Sequence, residues 1–135
     1  MVRTKIEQIG IGARDAEKLR KAGVDNTENL IERGRTRQGR RELSRRARIR
    51  QDRLLRWVHT ADLCRIHGIR PEIAALLAAA GVASSRELAV LDPDVLADLC
   101  AEVNEEKRFT PDNPTRLAVK HWVEQALRLQ PQVEL

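Results

Sequence analysis

From residue 6 to residue 30 the apolar positions include Ile6, Ile9, Ile11, Ala16, Leu19, Ala22, Val24 and Leu30, mostly three apart within a segment and interrupted by Gly10 and Gly12. Threefold and fourfold spacing gathers apolar side chains on one face of a helix, and a pair of glycines gives the backbone the freedom a tight reversal needs. The stretch therefore predicts a helix, a hairpin at Gly10-Ile11-Gly12 with Ile11 tucked inward, and a second helix over 13–22 with Gly23 as its C-cap. Arg14, Lys18 and Lys21 fall on the other faces of that second helix, so three cations follow the glycine turn.

The pattern then repeats. A shift of 58 residues sets Leu19 on Leu77, Gly23 on Gly81, Val24 on Val82, Thr27 on Ser85 and Leu30 on Leu88, and a slightly different shift sets Trp57-Val58 on Trp122-Val123 and Ala61 on Ala126. A duplicated hairpin is expected, each copy closed by an equivalent long helix, with both tryptophans in the core because repeats bury each other's apolar faces. Thr27 is the expected N-cap of a helix ending near Arg33, and 34–39 reads as a polar connector. Helices follow over 40–47 and 51–66, with Leu43, Ala47, Leu54, Leu55, Val58, Ala61 and Leu63 inward. Gly68-Ile69-Arg70-Pro71 is the second hairpin, with Pro71 in the first turn of a helix reaching Ala80. Ser84 or Ser85 caps a short helix, and Asp92-Pro93 starts another that runs to about Lys107. Residues 109–114 form a loop, 115–129 the closing helix, and the last six residues are expected to fray.

Ile9-Gly10-Ile11-Gly12, followed by Ala16, Leu19 and Ala22-Gly23-Val24, resembles the helix-hairpin-helix motif of non-sequence-specific DNA-binding proteins. Over nearly the whole chain the layout is also similar to a bacterial family of unknown function built from such units, through Trp57-Val58, Ala61-Asp62-Leu63, Ala80-Gly81-Val82 and Trp122-Val123. The first resemblance implies a mechanism and the second an architecture. The expected fold is all-α, with helix-hairpin-helix halves at 1–63 and 64–135 packed as one compact helical domain.

Composition agrees with helices. At 135 residues and 41% apolar the chain suits one domain with a modest core; 2% aromatic residues and no Tyr make that core aliphatic, which favours packed helices over sheet. No apolar run approaches the roughly 18 residues of a membrane span, and MVRTKIEQ is not a hydrophobic leader, so a cytoplasmic protein without a membrane partner is expected. Cys64-x-x-His67 offers the start of a metal site with Cys100 and His59. However, Cys64 matches Ile6 in the repeat and Cys100 lies among Val95, Leu96, Leu99 and Val103, so both read as core and neither metal nor cofactor is expected.

Charge divides the chain. Residues 1–57 hold 17 Lys or Arg against 8 Asp or Glu, 58–91 balance, and 92–135 hold 5 against 9, so any polyanion belongs with the first part. Within 33–56, Arg35, Arg37, Arg40, Arg41, Arg45, Arg46, Arg48, Arg50 and Arg53 are opposed only by Glu42 and Asp52. A charge run is commonly just a solvated face, but the consistent choice of arginine, whose fork matches phosphate oxygens, suits a polyanion better. In the second hairpin Arg70 stands where Gly12 stands in the first. Preceding a proline, it is pushed toward extended backbone, which suits a phosphate nest less well. The helix after it, EIAALLAAAG, is apolar on nearly every side and is expected to be buried.

The function expected is DNA binding through backbone phosphates, without base specificity. Gly10, Gly12 and Ala13, with Ile11 between the glycines, supply backbone donors at a helix N-terminus; Arg14, Lys18 and Lys21 support them, and Arg40, Arg41, Arg45, Arg46, Arg48, Arg50 and Arg53 lie alongside. Arg70 is the one candidate of the second hairpin. The alternative is a protein-interaction or scaffold module in which the hairpins only pack, and the acidic C-terminal half meets a basic partner or the basic half of a second copy. An enzyme is not expected: there is no carboxylate pair that spacing brings together, no nucleophile with an evident base and no nucleotide loop, and His59, His67 and His121 are isolated.

Overall fold

A computed structural model describes residues 4–130 and 132–134. The fold is all-helical. A short 3-10 turn (Ile6–Ile9) precedes α1 (Ala13–Lys21), α2 (Thr27–Gly34), α3 (Arg37–Ala47), α4 (Gln51–Cys64), α5 (Pro71–Ala79), α6 (Ser85–Leu88), α7 (Pro93–Glu106) and α8 (Arg116–Ala126). Among the described residues extended pairing is confined to one isolated bridge between Lys5 and Asn26. The helices form two compact units, one up to Asp62 with the C-terminal segment around Val133, the other Leu63–Gln130.

In the first unit, Gly10 takes the left-handed conformation (φ 94°) that ends the 3-10 turn, a geometry that penalises any L side chain. Ile11 then drops into the core, 3% exposed, and Gly12 is the N-cap of α1. Ala16 and Leu19 bury the inner face of α1. Its end is closed by Gly23 N–H to Arg20 O (3.0 Å) and Val24 N–H to Leu19 O (2.9 Å), with Val24 buried behind it.

The N-cap of α2 is Asn26, not Thr27: Asn26 holds extended backbone, and its carboxamide oxygen accepts from Asn29 N–H at 2.8 Å. The expected connector over 34–39 shrinks to Arg35 and Thr36, because Thr36 Oγ accepts from Gly39 N–H (3.0 Å) and starts α3 early. This helical position must be glycine, because a Cβ there would stand 2.1 Å from Arg33 O. Helix α3 packs against α1 and α2 through Arg40, Leu43 and Ala47. Of the last six residues, 131 and 135 lie outside the described ones, and 133 and 134 do not fray into solvent. Val133 is 2% exposed, Glu134 N–H donates to Arg35 O (2.7 Å), and the Glu134 carboxylate accepts from Arg37 N–H (3.2 Å) at the start of α3.

The second unit has a left-handed glycine turn of its own. Gly68 has φ 95°, Ile69 is buried, and Arg70 is the N-cap of α5 with Pro71 following. Gly81 N–H to Ala78 O (3.0 Å) and Val82 N–H to Leu77 O (2.8 Å) close α5 as their counterparts close α1. Ser84 caps α6, Asp92 caps α7 and Thr115 caps α8, each through its side-chain oxygen. Leu76, Leu77, Leu88, Leu96, Cys100, Val119 and Trp122 form the core. Helix α5 is buried on one side only; Ala75, Ala78 and Ala79 face solvent, which their small methyl groups tolerate at little cost.

The two tryptophans part company. Trp122 is 5% exposed, as expected, whereas Trp57 is only half-buried and carries the Arg53 guanidinium 5.1 Å from its ring centre.

Candidate nucleic-acid interface

The hairpin aims the start of α1 outward. The first helical bond is Ala16 N–H to Gly12 O (2.9 Å), so helix geometry leaves the N–H groups of Ala13, Arg14 and Asp15 beyond the ladder. Asn26, Thr36, Ser84, Asp92 and Thr115 each bond back to their own helix; Gly12 has no side chain to do so, and Arg70 does not. Gly12 has φ −65° and ψ 158°, and a Cβ built on it meets nothing within 4 Å. Neither backbone strain nor internal packing asks for glycine there.

The expected donors shift by one place. Gly10 N–H is already bonded to Glu7 O (3.1 Å), so Gly10 shapes the turn and donates nothing outward. Gly12, Ala13 and Arg14 are exposed, and Ile11 belongs to the core.

The cations separate by position. Arg14 is exposed and Lys18 half-exposed, both within the first two turns. Lys21 pairs with Glu17 (3.3 Å) and lies about 12 Å along the axis from Ala13, far from the amides at the helix start. Arg20 donates to Glu7 at 2.5 Å, tying α1 to the 3-10 turn, and that bond holds the Glu7 carboxyl below its ordinary range.

Among the arginines, Arg40 is corrected outright. It is 5% exposed and donates to Gly34 O (2.9 Å), and desolvation pushes its guanidinium down from the ordinary value. Its aliphatic stem and planar head fill the core side of α3, which a charge pattern alone does not reveal. Arg53 is also committed: it meets Asp15 at 2.6 Å while lying over Trp57. Asp15 is in the first turn of α1, so this pair neutralises the carboxylate nearest the hairpin mouth. Nothing in the local periodicity joins residues 38 positions apart, and the sequence reading missed it.

Arg41, Arg45 and Arg46 remain exposed on α3, the latter two lining a shallow depression with Glu42. Arg48 is exposed at the end of α3 in the left-handed region, φ 57°. Arg50 is exposed and pairs with Asp52 at 3.2 Å. Arg70 is exposed in the second unit. No three or more His, Cys, Asp or Glu side chains gather as a metal set among the described residues. Burial pushes the thiols of Cys64 and Cys100 up to about 11, so both are neutral near pH 7. No helix among the described residues is long and apolar enough to cross a membrane.

Residues 9–129 match the family described as a domain of unknown function, DUF4332. The chain belongs to that family. No curated protein and no solved structure matches it. The region matched in this DUF4332 chain takes in both glycine hairpins and all eight α-helices, and stops short of Val133, the tail residue buried in the first unit.

Proposed function

We propose that the chain is a cytoplasmic DNA-binding module of two helix-hairpin-helix units that holds duplex backbone phosphates without reading bases. A phosphate oxygen accepts from the N–H groups of Gly12, Ala13 and Arg14 at the α1 N-terminus, where the helix dipole favours an anion. Arg14 and Lys18 add charge from α1, while Arg41, Arg45, Arg46 and Arg48 offer forks to neighbouring phosphates. The Arg53–Asp15 pair keeps the one carboxylate of the first turn from repelling the ligand.

The observation that carries this reading is Gly12. Its backbone angles suit any residue, a Cβ there meets open space, and Arg70 occupies the matching place in the second hairpin with similar angles (φ −98°, ψ 170°). Glycine is a tolerated N-cap, but Ser, Thr, Asn or Asp would cap α1 through a side chain, and a ligand that must come close to the backbone accounts for the choice of glycine.

Titration of arbitrary duplexes at several salt concentrations tests the reading. Affinity should be equal across sequences and fall with salt at a logarithmic slope of about −0.9 per phosphate neutralised. Salt-independent or absent binding would sink it and favour the interaction-module reading.

A further inference from the structure

We propose that the outward face of α7 docks a basic amphipathic helix of another protein, independently of DNA binding by the first unit. Among the described residues every exposed large apolar side chain lies in the second unit, and Val95 (64% exposed) and Leu99 (37%) stand one turn apart on α7. Leu96, Ala97, Cys100 and Asn104 bury the inner face of this helix. At roughly 100° per residue, Val95, Leu99, Asp98, Glu102 and Glu106 share the arc opposite that inner face. The result is an apolar pair set among carboxylates.

Charge selects the occupant. Asp98 is already met by Arg116 at 2.6 Å, and Arg116 also reaches Asp94 at 3.2 Å. Glu102 and Glu106 have no ion-pair partner among the described residues, so the face attracts Lys or Arg alongside apolar anchors at helical spacing. A second copy fits poorly in either arrangement. Two α7 faces laid together oppose their carboxylates, and the arginine face of α3 brings charge without an exposed large apolar side chain to cover Val95 and Leu99.

The test uses the full chain and a fluorescent synthetic helical peptide with leucines at i, i+4 and i+8 and lysines flanking them, read by anisotropy at physiological salt. The peptide should bind the parent. The exposed double variant Val95→Ser/Leu99→Ser, and separately Glu102→Gln/Glu106→Gln, should each weaken it about tenfold while leaving duplex affinity unchanged. A peptide with serine for leucine should lose binding despite its identical charge. Equal binding by that serine peptide, unaltered binding to either variant, or no binding at all would overturn the proposal. So would a parent dimer that Val95→Ser/Leu99→Ser dissolves in sedimentation, since a second copy would then cover the face.

Discussion

Gly12 and Arg70 hold matching places in two hairpins, both in extended backbone and neither bonding its side chain to the helix it starts. Two residues before each, Gly10 and Gly68 take φ 94° and 95°. The left-handed glycine is therefore the shared structural requirement, and the second glycine is peculiar to the basic unit.

Stability should separate the two glycines of the first hairpin. Gly10→Ala forces an L side chain into the left-handed region and should cost about 1–2 kcal/mol. Gly12→Ala should change stability by less than about 0.5 kcal/mol, because its angles are ordinary and the gain from restricting the unfolded chain is offset by alanine's poorer fit at an N-cap. Urea denaturation compares them, and equal losses would show that both glycines serve the turn.

The arginines of α3 should divide by burial. Arg45→Gln and Arg46→Gln should each flatten the salt slope of duplex binding and change stability by less than about 0.5 kcal/mol. Arg40→Met should leave the slope alone and cost about 1–3 kcal/mol, since it strands the Gly34 carbonyl that Arg40 now satisfies. Arg48→Gly should gain up to about 1 kcal/mol by relieving φ 57°, yet still flatten the slope. Salt titration and urea denaturation on the same variants check both halves; a slope that follows Arg40 instead would contradict the placement.

The helical frame was legible because its signals are local. Periodic leucines and alanines, Gly23 and Gly81, and Asp92-Pro93 each act within a turn or two, and the helices lie within a few residues of where those signals put them. The errors came from contacts that sequence spacing does not encode. Gly39 reads as a connector residue, but the Thr36 cap starts α3 ahead of it, and the Arg33 carbonyl leaves no room for a Cβ at this helical position. Arg40 and Arg41 look equivalent in a run of charge, and only the register of α3 buries one and exposes the other. Val133 joins the first unit through residues near position 35, a return no local pattern announces. At the candidate site, Gly12 and the exposed arginines could be read from the sequence, while the Asp15–Arg53 pair and the bonded Gly10 N–H could not.

The thiols set a pH window. Their folded values of about 11 exceed the ordinary 9.0, so the folded state keeps protons that the unfolded chain releases. Their contribution is fully present below about 9 and is lost as pH rises from there through 11, at about 1.4 kcal/mol per pH unit for each thiol at most. Cys64→Ala/Cys100→Ala should show a shallower decline across that window in pH-dependent denaturation. An identical decline would mean that the thiols do not titrate as their burial implies.

In the proposed mechanism backbone amides at the α1 N-terminus hold a phosphate, and Gly12→Val isolates that contact because it leaves net charge unchanged and the Gly12 angles are open to a β-branched residue. Circular dichroism and urea denaturation first establish that the variant is folded, as the open space around Gly12 leads us to expect. Duplex titration at matched salt should then give affinity about tenfold weaker, the loss of one or two charge-assisted hydrogen bonds, with the other phosphate contacts of the salt slope retained. Affinity equal to the parent's in the folded variant would contradict the claim and make the hairpin a structural corner.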